Sequence, residues 1–396
     1  MEVDLAELGP PLVVEMPRAV ATALAGCDLL NVTPAADGRW RLRPAGKVGA
    51  VSFEGWDIRV VPKVGVIRLL FLLGYAVDPG FRPDDVAAGE QPDLLPMLGE
   101  SLARQAERAI GSGVLQGYVT IEDALPLVRG RFRVADQIAR RPGLPLPAEV
   151  RYDEYSADIV ENRILRAALR RMLAVPRLRE PIRRRLAHLD GRLDGVSPLL
   201  PGAPLPQWEP NRLNARYQPA LRLASVVLRH CSAESGSGEL RMAAFAVNMA
   251  KVFEDFVATA VREAMRRYPG RTVAQYPSDL AATGGIPMFP DVVHVVGNRP
   301  VAVLDVKYKM ERDNRRFPNA DAYQMLAYCT GLDLPRGWLV YAKGMGEPLT
   351  HRVVNTSVEI VQHPLDLAAS PAGLLAQVDK LASEMAASAS LATAEV

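Results

Sequence analysis

The sequence predicts a mixed protein, α+β or α/β in class, in two domains. A β-rich domain is expected over residues 1–155, and an Arg-rich helical segment with a sheet-and-helix domain over residues 156–396. Three observations carry this. Period-two alternation marks the start, as at Trp56, Ile58 and Val60 beside the turn signal Glu54-Gly55. Helical spacing takes over from Asp158. Two apolar runs hinged at Gly297-Asn298-Arg299-Pro300 then read as a hairpin, with helix and strand patterns behind it.

Along the chain, a buried helix is expected near Val66 to Tyr75, ended by Asp78-Pro79-Gly80. Leu94, Leu98, Leu102, Ala106 and Ala109 recur at helical spacing until Gly111-Ser112-Gly113. Strands are expected near Tyr118 to Ile121 and Arg129 to Val134. Asp158 with Glu161 has the spacing of a capping box before IVENRILRAALRRML. Pro181 suits the first turn of a helix whose stripe is Ile182, Leu186, Leu189 and Leu193. SAESGSGE reads as a loop, and a long helix is expected from about Leu240 to Tyr268. The hairpin, a helix near Ala320 to Cys329, a strand at GWLVYA and a helix from Ser370-Pro371 follow. An Ala/Ser tail from Ala386 is expected to be disordered.

Composition sets limits. Of 396 residues, 49% are hydrophobic and 23% charged, as in soluble globular proteins. The longest apolar stretch, Val64 to Ala76, is too short for a bilayer and holds Arg68, and the acidic N-terminus lacks a signal-peptide pattern. The three cysteines form no CxxC, so neither zinc nor a disulfide framework is expected, and a cytoplasmic location is. Net charge is +2, yet residues 129–229 hold 20 Arg, no Lys and 10 acids. That excess suggests a polyanion partner, with Arg183, Arg184 and Arg185 as candidate phosphate contacts, or else solvated helix faces. Forty of the 47 basic residues are Arg; Lys307 and Lys309 nevertheless stand two apart, and Lys63 closes VVPK. A compact ammonium suits a reacting phosphate better than a guanidinium fork.

Charge inside the hairpin needs a reason, because desolvating an ion is costly. By alternation Val303, Asp305, Lys307 and Lys309 share one face. Asp291 lies a short hairpin away. If Val296 pairs with Val301 across a four-residue turn, Asp291 falls on the wrong face; a bulge or one-residue shift would bring the acids together. Carboxylates with few other ligands suit Mg²⁺, with Mn²⁺ as a substitute, and a lysine beside them stabilises charge on a phosphodiester. On the preceding helix, Glu254 interrupts an apolar row formed by Val247, Ala250, Val257 and Val261, so it is the fourth candidate; a helix-edge salt bridge is the plainer account. Asp255 falls on a polar row. Tyr323 and Gln324, with Lys309, are candidate flanking or DNA-contacting residues, and packing or capping explains Tyr323 and Gln324 equally well.

The spacing PD-x13-D-x-K is that of PD-(D/E)xK nucleases, whose restriction-endonuclease-like core would span about 240–345. The chain as a whole resembles McrC, the nuclease subunit of McrBC modified-cytosine (type IV) restriction systems. WDIRVVPKVG with LLFLLGYA, VRGRFRVADQ, VRYDEYSADIVENRILRAAL, and the block VFEDFV, PDVVHV, VLDVKYK and YQMLAYC carry the likeness. It implies a Mg²⁺-dependent endonuclease that cuts modified double-stranded DNA. It also implies an N-terminal domain that docks on, and stimulates, a McrB-like AAA+ GTPase ring. The chain has no G-x4-G-K-[ST] of its own, as expected if the motor is a separate protein. The alternative is a non-cleaving activator of such a motor that keeps the nuclease fold.

Overall fold

The first strand, Glu2–Ala6, alternates exposed and buried residues and pairs in parallel with Trp56–Val61. That strand pairs in turn with Lys47–Phe53 through a tight turn at Glu54-Gly55. The computed structural model describes residues 1–82, 94–175, 178–200, 203–235, 241–308, 319–342 and 346–394. It divides into two compact units, Met1–Pro92 with Ala244–Val396, and Asp93–Ala243. The boundary expected at residues 155 and 156 falls inside the second unit, at the end of the strand Ala148–Ser156.

In the first unit, Lys47–Phe53 also lies beside the end of the strand Arg241–Asn248. Gly49, at φ 148, permits that approach, because a Cβ there would overlap the Phe245 carbonyl. A small sheet of Leu12–Val14, Trp40–Pro44 and Leu30–Pro34 stands nearby in sequence. The expected helix is present as Val66–Val77, and Phe71 and Tyr75 pack their rings on Phe256 of the helix Met249–Met265. The long helix expected from Leu240 is shorter than its apolar pattern implied. Residues 241–248 are strand, and Asn248 caps the helix by accepting from the Ala250 and Lys251 amides.

The main sheet of this unit has six strands in the order Arg271–Ala274, Val292–Val296, Arg299–Lys307, Arg336–Ala342, Glu359–Leu365 and Leu349–Arg352. The first two pairings are antiparallel, the next two parallel and the last antiparallel. One face carries Val293, Val295, Val303, Leu339 and Ile360 against Met325, Tyr328 and Cys329 of the helix Asn319–Gly331. Tyr308, on the opposite parity, meets Phe253 of Met249–Met265. Helices therefore cover both faces, as a mixed sheet buried on each side requires. The last helix, Pro371–Ala394, runs through the segment expected to be disordered, and Ala386 and Ala389 are buried.

The second unit is mainly helical: Leu94–Ile110, Val160–Leu173, Glu180–Arg192 and Gln218–His230. It also holds the sheet Gly117–Leu125, Ala148–Ser156 and Arg131–Phe132, the last a short strand within the span expected from Arg129 to Val134, and a short helix Val134–Arg140 follows it. The capping box is not formed. Ile159 occupies the cap position, and the Asp158 carboxylate instead holds Arg163, the Ser197 amide and the Ser197 hydroxyl. Arg183 donates to the Leu173 and Val175 carbonyls, and Arg185 pairs with Glu100 and Glu107. Arg184 pairs with Glu180 one turn back, so all three arginines expected to meet phosphates have partners within the unit. Among the described residues, no helix is long and apolar enough to cross a membrane.

Candidate active site

The hairpin turns on two residues, Gly297 and Asn298, rather than the four expected. Gly297 takes φ 62, and Val296 pairs with Arg299. A bulge follows. Val295 faces Pro300, but His294 faces Ala302, so Val301 is the extra residue. Below it Val292 faces Leu304, where the ladder ends, and Asp291, the residue before Val292, accepts the Val306 amide with its carboxylate beside that of Asp305. The one-residue shift that would unite the two acids is therefore present, and a bulge supplies it.

Asp305 is 2% exposed. Its buried Oδ2 lies 2.5 Å from Lys307 Nζ as an ion pair. Burial, then the neighbouring Asp291 carboxylate, pushes its pKa well above the usual carboxylate range. Asp291 Oδ2 accepts the Val306 amide at 2.8 Å, and Oδ1 accepts Gln275 Nε2 at 2.8 Å. Burial raises the Asp291 pKa as well; the Val306 bond offsets part of that, while Glu254 adds to it.

Lys307 is held from the flanking helix. Its ammonium donates to Gln324 Oε1 at 2.9 Å, and Gln324 Nε2 donates to Tyr328 Oη at 2.6 Å. Burial disfavours the ammonium, but Asp305, Asp321 and Asp291 outweigh it, so its pKa is raised and the charge is retained. Asp321, buried on the same helix, accepts Tyr341 Oη at 3.1 Å, and Tyr341 sits beside Lys307 in the parallel register. Tyr323 is 68% exposed, whereas Gln324 on the same helix joins this network. Lys309 lies outside the described residues.

Glu254 reaches the site indirectly. Its Oε1 accepts the same Gln275 amide nitrogen, at 2.9 Å, that binds Asp291. Lys251 also pairs with Glu254, so the plainer account, a helix-edge salt bridge, holds too. Asp255 meets Lys251 and is half exposed. Gln275, like Tyr328, belongs to the site without standing out in the sequence. It follows the strand Arg271–Ala274 at φ 48, a conformation non-glycine residues seldom adopt. Its neighbours in sequence gave no sign that it would bridge two acids.

Among the described residues, no group of three or more His, Cys, Asp or Glu side chains forms a ready metal cage. Mg²⁺ does not need one, since it keeps several waters and takes one or two carboxylates. Asp305 and Asp291 fit that demand: both are burdened by burial, and the Asp291 carboxylate adds to the burden on Asp305. A divalent cation there would relieve a charge arrangement that the protein alone leaves costly.

The family model described as "McrBC 5-methylcytosine restriction system component" matches residues 42–342. Among solved structures, the chain is similar to McrC in a half-complex from a tetradecameric assembly of Thermococcus gammatolerans McrB AAA+ hexamers with bound McrC. Identity is 17%, the match covers 97% of this chain and 100% of that one, and the TM-score is 0.60, a likeness of fold. A structure of the Thermococcus gammatolerans McrBC complex also matches, at 17% identity over 68% of this chain and 90% of that one. Its TM-score of 0.39 is too low to bear on the fold. No curated protein matches.

Proposed function

The chain belongs to the family of McrBC 5-methylcytosine restriction system components, and from that premise we propose that it is the DNA-cutting subunit. In this reading it is a Mg²⁺-dependent endonuclease of the PD-(D/E)xK type. It works with a McrB-like AAA+ GTPase ring to cut modified double-stranded DNA. The observation that carries the reading is the pairing of Asp291 with Asp305 beside Lys307, produced by a bulge in an otherwise apolar hairpin.

Asp305 and Asp291 would hold the metal, with Glu254 at the edge of the site through Gln275. When bound, Mg²⁺ supplies Lewis-acid polarisation of the phosphodiester and acidifies the attacking water. Lys307 places a fixed positive charge where the phosphate gains negative charge. Gln324, itself held by Tyr328, fixes the direction of that ammonium. The apolar strands around Asp305 limit water and so strengthen each of these charge effects.

The ring-docking role is assigned to residues 1–155. In that range Leu127, Val128, Ile138 and Leu144 are exposed, and the exposed Tyr118 and Tyr155 rings meet at a tilt, with centroids 5.2 Å apart. Exposed apolar side chains in this number favour a protein partner. The test is to mix the chain with its AAA+ partner, GTP and methylated DNA. Cutting with Mg²⁺ and none with EDTA is expected. GTPase stimulation without any cutting under either condition would leave only the activator role.

A further inference from the structure

We propose that Glu7 and Tyr308 form a positioning link that fixes the end of the strand carrying Lys307 to the N-terminal sheet. The proposal rests on the nuclease reading above.

Glu7 follows the first strand and is 3% exposed. Its Oε2 accepts two hydrogen bonds, from the Lys63 amide at 3.2 Å and from Tyr308 Oη at 3.2 Å. Its own amide donates to the Val61 carbonyl at 3.1 Å, so the residue is anchored to the strand Trp56–Val61 by backbone and side chain alike. Neither side-chain bond is to a cation, and burial raises its pKa. Burying a carboxylate this way is costly. What the chain gains is an acceptor that takes the Tyr308 hydroxyl in one orientation.

Tyr308 is the residue after Lys307. Its hydroxyl is held by Glu7 and its ring packs on Phe253, with centroids 6.0 Å apart. Phe253 precedes Glu254 on its helix. A single tyrosine is therefore fixed at both ends, between the N-terminal sheet and the neighbours of two candidate site residues. Misplacing a charge by a fraction of an ångström is enough to slow phosphodiester chemistry. Lys63 of VVPK meets this carboxylate through its backbone amide, and its ammonium also favours the charged form of Glu7.

The experiment uses the full chain with its AAA+ partner, GTP, Mg²⁺ and methylated DNA. Variants Tyr308→Phe, Glu7→Ala and Glu7→Gln are compared with wild type and with Lys307→Ala. Single-turnover cutting, DNA affinity and GTPase stimulation are all read. Tyr308→Phe and Glu7→Ala should each slow cutting about tenfold, with affinity and GTPase stimulation unchanged. Glu7→Gln should retain the rate, since its amide oxygen accepts both hydrogen bonds. If Lys307→Ala is dead while Tyr308→Phe cuts at the wild-type rate, the link is overturned and the nuclease reading stands. If GTPase stimulation falls together with cutting, the contact serves docking and the positioning role is overturned. A wild-type chain that cuts nothing overturns the nuclease reading and the link with it.

Discussion

Lys307 and Gln324 are joined by a 2.9 Å hydrogen bond across the space between the hairpin and the helix Asn319–Gly331. Tyr328, one turn further along that helix, holds Gln324 in place. Gln324→Ala should therefore slow cutting about tenfold while leaving DNA affinity intact, because it frees the ammonium without removing it. Tyr323→Ala, on the exposed side of the same helix, should leave the rate unchanged. Single-turnover kinetics of the two variants make the comparison.

Glu254 and Asp255 are adjacent acids, both in contact with Lys251, yet only Glu254 shares Gln275 with Asp291. Glu254→Gln should raise the Mg²⁺ concentration needed for half-maximal cutting. Asp255→Asn should have little effect. Rate against Mg²⁺ concentration decides it, and damage confined to the Asp255 variant would move the site to the polar side of the helix.

Much of this site was legible because charge in an apolar strand is conspicuous. Asp305 and Lys307 stand out for that reason, and the helix phase separates Glu254 from Asp255. Asp291 was legible only in part: its face depended on the bulge at Val301, which no residue type announces. Gln275 and Tyr328 were hidden because their roles arise from contacts across the fold. The strand at 241–248 was read as helix since its apolar residues also satisfy a helical stripe, although Asn248 is a residue type that favours helix starts. The return of the chain at Ala244 to the unit begun by residues 1–92 left no local trace, because it depends on contacts between segments some 150 residues apart.

The exposed side chains in the sheet region of residues 117–146 offer a separate test. Leu127→Asp and Ile138→Asp alter surface positions, so thermal stability should change by no more than about 0.5 kcal/mol. GTPase stimulation should fall at least about tenfold for the double variant if this region meets the motor. Unchanged stimulation would move the docking surface elsewhere.

His363 gives a pH dependence unconnected with the hairpin. It is buried beside the last helix, with Nδ1 3.7 Å from Glu384, and burial first and Lys380 second pull its pKa from 6.5 down to about 4. The folded state therefore keeps the ring neutral, while the unfolded chain takes up a proton below about pH 6.5. Its contribution to stability is complete above that pH and is lost as pH falls toward about 4, by at most about 3 kcal/mol. Stability measured by urea unfolding should fall more steeply with falling pH across this window in wild type than in His363→Gln.

The central claim is that Asp305 and Lys307 carry the cutting reaction. Cutting of methylated DNA, with the AAA+ partner, GTP and Mg²⁺ present, should be measured for wild type, Asp305→Ala, Lys307→Ala and Lys307→Arg. Each variant should be slowed at least about a hundredfold, including the arginine form, whose fork is larger and differently placed. Thermal unfolding in EDTA should not be impaired by Asp305→Ala, since a buried carboxylate without its metal is a burden on the fold. Wild-type cutting rates from Asp305→Ala and Lys307→Ala would contradict the account.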